Sequence, residues 1–402
     1  MTMRSKGTGR ALFAGLLLLL AGCGSINRPP DGVVRLVDVQ IASAPDPRIR
    51  ASDAARLEAL AAEMVAQLDA GDPTAILALS GGGANGAFGA GLLAGWSESG
   101  DRPVFGVVTG VSTGALAAPF AFLGSEWDDE LEDAYTGGQT RELVGWRSFA
   151  AFFAPSVFSS TDLRELVDRQ ITPRLLAAVA AEHAGGRRLL VATTDLDAEE
   201  TVIWDMGLVA SQGGPQGLYL FRQILVASAS IPGVFPPVLI AGLDDQGRVV
   251  QTMYVDGGVN TPFLGIPEGL INWTPEQAGA RGPFYVLING QVARTRVVTP
   301  GRLRDILGRA YDSMSKAALR RQLDATAEFA ERSGMPLFVA AIPEDVDASS
   351  LDFDPESMQA LFDLGRSAAL GDRAWRRVTV GSLPGLPESS DAPDNAVPVR
   401  RP

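Results

Sequence analysis

The chain of 402 residues has one cysteine and one histidine, Cys23 and His183. No intrachain disulfide can form. Zinc, copper and iron sites are not expected either, because they draw mainly on these two side chains. No cofactor is called for, although an oxygen-ligand calcium or magnesium site stays open with 47 acidic residues present. Positive charge is scarce too: 34 Lys and Arg leave a net charge of −13. That balance argues against a nucleic-acid partner, which needs clustered basic groups, and disfavours an electrostatic grip on anionic lipid.

The apolar run Ala11 to Ala21 is too short to span a bilayer as a stable helix and follows Arg4, Lys6 and Arg10, the pattern of a secretory signal peptide over residues 1–22. It ends in Leu20-Ala21-Gly22-Cys23, which resembles the bacterial lipobox. That resemblance implies a diacylated Cys23 as the new first residue, holding the protein to a membrane without a transmembrane helix. Gly24 is not the Asp associated with inner-membrane retention, so the cell envelope, with the outer membrane favoured, is the expected location. Residues 23–47, with Pro29, Pro30, Pro45 and Pro47, read as a tether. Residues 383–402 are rich in Pro, Asp and Ser and read as a disordered tail, leaving 48–382 as the folded domain.

Within that span, residues 48–70 have helical spacing, and short apolar runs then alternate with helical ones. Strands are expected at Thr74–Leu79, Phe105–Thr109, Leu189–Thr194, Gln251–Val255, Phe284–Ile288 and Pro336–Ala341. Helices are expected at Gly86–Ser99, Thr113–Leu123, Leu163–Glu182, Gln223–Ala229, Arg302–Ser333 and Pro355–Leu370. Near-continuous apolar strands separated by helices predict an α/β fold with a mainly parallel sheet covered on both faces. Antiparallel pairing is expected where Val238–Ala241 and Val249–Val255 flank the turn at Asp244-Asp245-Gln246-Gly247.

Two motifs follow strands. Gly81, Gly83 and Gly86 reproduce the G-x-G-x-x-G spacing, but the next strand ends in Thr109-Gly110-Val111-Ser112-Thr113-Gly114 rather than in the acidic residue a dinucleotide site requires. The glycines are either a tight strand-to-helix turn or an exposed row of N–H groups at a helix start. Gly110-x-Ser112-x-Gly114 sits between strand and helix, the context of a nucleophile elbow. If the two strands are parallel neighbours, both loops emerge on the same carboxyl edge. The N–H groups of Gly81, Gly82 and Gly83, with that of Thr113, can then face the oxyanion formed when Ser112 attacks a carbonyl.

Ser112 needs a base. His183 ends a helix before the strand from Leu189, so it belongs at the amino edge, opposite Ser112, and reads as a surface helix-end histidine. A Ser-His-Asp triad is therefore not expected. Asp256 is the best carboxylate: a strand end delivers it, and Gly257-Gly258 permit the chain to turn it inward. Asp195, Asp197 and Asp205 are competitors read as shaping a strand pair beside the site. Trp96, Trp127 and Trp146 read as core residues.

Gly81-Gly82-Gly83, Gly110-x-Ser112-x-Gly114 and Asp256-Gly257-Gly258, in this order, resemble the patatin-like phospholipase family, and Ala227 to Pro237 is similar to its proline-containing stretch. The resemblance implies one domain with a three-layer α/β/α patatin-like fold, a Ser112–Asp256 dyad, and hydrolysis of acyl esters, commonly phospholipids. Many members carry Arg or Lys in the glycine motif where this chain has Asn85, which is expected to weaken the grip on a phosphate headgroup. An esterase or transacylase on other esters, and a catalytically silent interaction lipoprotein, are the competing readings. The anchor has its own test: mass spectrometry of the mature protein should find acylated Cys23 at its amino terminus, and Cys23→Ser should leave a precursor or a soluble form. A free thiol at Cys23 would remove the lipoprotein assignment.

Overall fold

The computed structural model describes residues 28–29, 32–33, 46–69, 75–137, 160–244, 246–265, 282–371 and 374–382. The expected signal peptide at 1–22, Cys23, Trp146 and the expected tail at 383–402 lie outside the described residues. Within the expected tether, the described part lies against the domain: Arg28 makes a paired contact with Asp197 at 2.7 Å, and Val33 bridges Val250.

The strands in chain order are β1 (Arg48–Arg50), β2 (Ala75–Leu79), β3 (Phe105–Val111), β4 (Arg188–Asp195), β5 (Glu200–Asp205), β6 (Val238–Leu243), β7 (Val249–Asp256), β8 (Phe284–Ile288), β9 (Leu337–Ala341) and β10 (Arg376–Val378). The helices are α1 (Ala54–Asp69), α2 (Gly86–Glu98), α3 (Thr113–Leu123), α4 (Asp128–Thr136), α5 (Ser160–Gln170), α6 (Pro173–Ala184), α7 (Met206–Ser211), α8 (Gly214–Ser228), α9 (Leu303–Arg332) and α10 (Pro355–Leu370). The sheet runs β1-β5-β4-β3-β2-β8-β9-β10, with β7 pairing β4 and β6 pairing β7. Its middle, β4-β3-β2-β8-β9, is parallel; β1, β5, β7, β6 and β10 join antiparallel.

Period-two alternation divides the apolar side chains between the two faces. In β2, Leu77 and Leu79 enter the large core with α2, α3, α8 and α10, while Ala78 enters the core that holds α9. In β4, Leu189 and Val191 take the first face, and Leu190 and Ala192 meet Leu57 and Leu60 of α1 on the other. Helices thus cover both faces, the expected three layers. Trp96 and Trp127 are buried in the large core.

Three expected helices change most. The helix expected over 48–70 yields its first residues to β1, which pairs with β5, and starts at Ala54, where Asp53 accepts from the Arg56 N–H. The single helix expected at Leu163–Glu182 is two, because Thr172 caps the Leu175 N–H and Pro173 starts a new helix rather than continuing the old one. The helix expected from Gln223 starts at Gly214. The turn at Asp244 to Gly247 does join an antiparallel pair, β6 and β7.

α2 is buried from Gly86 through Trp96 because α10 lies directly on it. A Cβ at Gly91 would stand 1.9 Å from the Phe362 main-chain oxygen, so the contact exists only without a side chain there. Gly91→Ala should cost about 3 kcal/mol by forcing the two backbones apart; thermal unfolding of the variant checks it, and an unchanged Tm would contradict this packing.

Candidate active site

The parallel register of β3 on β4 ends at Val111 opposite Ala192, and the next residue of β4, Thr193, pairs with Asp256 of β7. β7 runs antiparallel to β4, so β3 and β7 approach each other end to end along the same side of one strand. Ser112 and Asp256 are the residues at which they meet. Ser112 Oγ donates to Asp256 Oδ2 at 2.5 Å, and both residues are buried.

Ser112 has φ 56° and ψ −125°, a left-handed conformation rare for a residue with a side chain. Such strain costs about 1–3 kcal/mol and persists only where its surroundings fix it. Here the Ser112 N–H donates to Ser228 Oγ at 3.0 Å, which in turn donates to Ala192 O at 2.7 Å, and the Ser112 carbonyl accepts from the Ala115 N–H. A Cβ at Gly114 would lie 2.5 Å from Leu79 O and 2.6 Å from Ser80 O. The elbow can therefore close against β2 only with glycine at that position. Gly110 packs against the Gly114–Ala115 backbone of the same turn, and Gly86 lies under Thr113.

Asp256 is held from three sides. Its N–H donates to Ser230 O and its carbonyl accepts from Thr194 Oγ1, both at 3.0 Å. Its Oδ1 accepts the Gly258 N–H at 2.7 Å, and Gly257 fits between Val111 and the Ala192 carbonyl. Burial pushes the carboxyl up to about 7, against the opposing pull of the Ser112 hydroxyl and the Gly258 N–H. At neutral pH the group is poised to accept a proton.

The glycine loop corrects one expectation. The Gly81 N–H donates to Pro262 O at 3.0 Å, so it is not available to an oxyanion, although the residue itself lies beside the Ser112 side chain. The backbone N–H groups of Gly82, Gly83 and Thr113 donate to no acceptor among the described residues. Thr113 is fixed by Tyr135, whose hydroxyl donates to Thr113 O at 2.7 Å and stands 3.0 Å from Thr113 Oγ1. Gly83, Ser112 and Thr113 open into a cleft walled by Leu116, Phe120, Leu163, Val167, Leu225 and Phe353. Its surface is almost wholly apolar, the environment an acyl chain requires.

His183 is not the surface group expected. It is largely covered, packed on Gly207, with Nδ1 3.6 Å from Asp205 Oδ1. Burial lowers its pKa, with Asp205 pulling the other way. Asp205 pairs with Leu190 near the start of β4, so this His-Asp pair lies at the amino edge, away from Ser112. Asp195 accepts the N–H groups of Asp197 and Ala198 and closes the β4–β5 turn, while Asp197 holds Arg28. Asn85 is buried at the start of α2, its Oδ1 without a donor among the described residues. No group of three His, Cys, Asp or Glu among the described residues is placed to hold a metal.

The supports Ser228, Thr194 and Tyr135 were not singled out from sequence. Ser228 belongs to the Ala227–Pro237 stretch, where its pattern was visible. Nothing in the acidic α4 marks Tyr135, whose role depends on tertiary contact alone.

Residues 77–265 match the family model for patatin-like phospholipase, and they contain the end of β2, the elbow and Asp256. Residues 77–265 belong to the patatin-like phospholipase family. Among solved structures, the chain is similar to VipD from Legionella pneumophila at 15% identity, over 76% of this chain and 68% of that one, with a TM-score of 0.38. No curated protein matches it.

The raised carboxyl predicts a pH-dependent stability. A folded value above the ordinary 3.8 means that the stabilising contribution is complete below 3.8 and is lost as pH rises through about 7. Asp256→Asn should therefore gain in Tm relative to the wild type as pH rises over that window. A difference in Tm that does not change with pH would contradict a buried, raised carboxyl.

Proposed function

We propose that the protein is a serine acyl hydrolase that cleaves carboxylic esters of lipids, with Ser112 as nucleophile and Asp256 as its base. The observation that carries the reading is the 2.5 Å hydrogen bond from Ser112 Oγ to Asp256 Oδ2 at the end of an apolar cleft. The patatin-like phospholipase family supports lipid acyl hydrolysis in general; the dyad, the anchor and the preferred ester are this proposal's own content.

With an acyl chain in the cleft and its carbonyl over Ser112, Asp256 takes the hydroxyl proton as Oγ attacks. Negative charge develops on the former carbonyl oxygen, and the N–H groups of Gly82, Gly83 and Thr113 are the donors assigned to it. Collapse expels the alcohol, which leaves with the proton held by Asp256. Water then gives a proton to Asp256 and attacks the acyl-serine, and the acid departs as Ser112 is restored. His183 has no part in this sequence. Asn85 is uncharged and buried, which favours a second reading in which phosphate-free esters are hydrolysed at least as well. The lipobox-like Cys23 adds the proposal of a lipoprotein held in the cell envelope, at the outer membrane in preference to the inner.

A panel of phospholipids and neutral esters, with released fatty acids identified, tests the substrate class. Ser112→Ala and Asp256→Asn should each reduce turnover by about a thousandfold, and the double variant should be scarcely worse than Ser112→Ala, since the pair acts as one unit. His183→Ala should retain wild-type turnover. Full activity in Asp256→Asn together with loss in His183→Ala would overturn the dyad, and no hydrolysis of any ester by folded wild type would favour a silent interaction role.

A further inference from the structure

α9 is far longer than the sheet it covers. Thirty residues extend about 45 Å, whereas the five-residue strands β8 and β9 span about 17 Å. Its buried residues, Leu319, Leu323, Thr326, Ala327, Phe329 and Ala330, all lie in the second half; none of the described side chains from Asp305 to Ala318 is buried. The helix is entered from the loop after β8, at the carboxyl edge of the sheet, so its first half overhangs the edge that carries Ser112 and Asp256. Gln322 ties the helix to that edge by donating to Thr261 Oγ1 at 3.0 Å, five residues beyond Asp256. The Tyr311 side chain is 42% exposed as a whole, yet its hydroxyl is pushed up to about 12, by desolvation first and then by the negative charge of Asp256.

The overhang is amphipathic. Ile306, Leu307, Ala310, Tyr311 and Met314 fall within about 140° of the helix circumference, with Asp305, Arg309, Asp312 and Lys316 on the opposite side. Leu307 is 60% and Met314 70% exposed, and Val298, in the preceding loop, is 92% exposed. Charge is segregated here as well: Gln291 to Arg321 holds eight Lys and Arg against two Asp, in a chain whose net charge is −13. Arg294, Arg296 and Arg302 are exposed along the loop that carries Val297 and Val298.

We propose that the overhanging half of α9, with the loop from Arg294 to Arg302, docks on an anionic phospholipid bilayer and holds the Ser112–Asp256 edge against the lipid. Apolar side chains flanked by exposed arginines match the acyl boundary and the anionic headgroups of one occupant. The inference rests on the lipid-hydrolase reading. Chain length adds a second argument: Arg28, bound to Asp197 just past the carboxyl end of β4, is five residues from Cys23. An acyl anchor at Cys23 would keep this same edge within about 17 Å of the membrane. The overall charge, which disfavours anionic lipid, conceals this local excess.

The test uses the full chain carrying Cys23→Ser, so that no acyl anchor contributes, and co-sedimentation with vesicles of phosphatidylcholine alone or with about one-third phosphatidylglycerol. Two further variants are added to it: Val298→Ser/Leu307→Ser/Met314→Ser and Arg294→Ser/Arg296→Ser/Arg302→Ser. Partition should favour the anionic vesicles, and each triple variant should lower it by about tenfold. Hydrolysis of a soluble short-chain ester should be unchanged, showing that the fold is intact. Partition equal to the parent in both triple variants would overturn the proposal. So would a dimer, seen by light scattering, that only the apolar variant dissociates while vesicle binding persists, since the covering partner would then be a second copy. Vesicle binding is read without catalysis, so a protein that binds as expected but hydrolyses no ester would sink the hydrolase reading and leave the docking surface standing.

Discussion

β4 extends beyond the end of β3, and β7 returns along the vacated side until it reaches that end. This head-to-head meeting forces Ser112 and Asp256, 144 residues apart in sequence, into a buried hydrogen bond. Other features of the site follow from it. Neither strand can continue, so each chain must leave through a sharp turn, one opening into α3 and the other into Gly257-Gly258. The turns need small residues because β2 and β4 are already in place. Burial at the junction removes water from the carboxylate, and the same removal that destabilises its charge raises its affinity for a proton to near neutral pH.

The acidic residues near β4 have separate tasks because of where the strand places them. Asp195 stabilises a turn, Asp197 pairs with Arg28, and Asp205 faces His183 at the opposite edge. A histidine–aspartate pair therefore exists in the molecule, but the parallel direction of β3 and β4 puts it at the amino ends of strands whose carboxyl ends hold Ser112. Residue types alone would have suggested a triad; strand direction argues against it.

Sequence carried the elements whose signals are local. Phe284–Ile288, Thr113–Leu123 and Pro355–Leu370 coincide with β8, α3 and α10, since apolar periodicity and an initial proline define them without help from neighbours. The elbow was legible for the same reason, as a strand, a small-residue turn and a helix are contiguous. β1 was not, because three residues form a strand only when β5 offers an edge. Occupation of the Gly81 N–H by Pro262 was also illegible, as the two are 181 positions apart and no pattern links them. A sum of −13 over the chain does not show the basic, apolar stretch leading into and along α9.

In the proposed mechanism Ser112 is the residue acylated. Reaction with a long-chain fluorophosphonate, followed by peptide mapping, tests it most directly, since such reagents bond to an activated serine oxygen. The adduct should map to Ser112, and its rate of formation should rise with pH through about 7 as Asp256 ionises. An adduct on a different serine, or ester hydrolysis that continues with Ser112 fully modified, would contradict it.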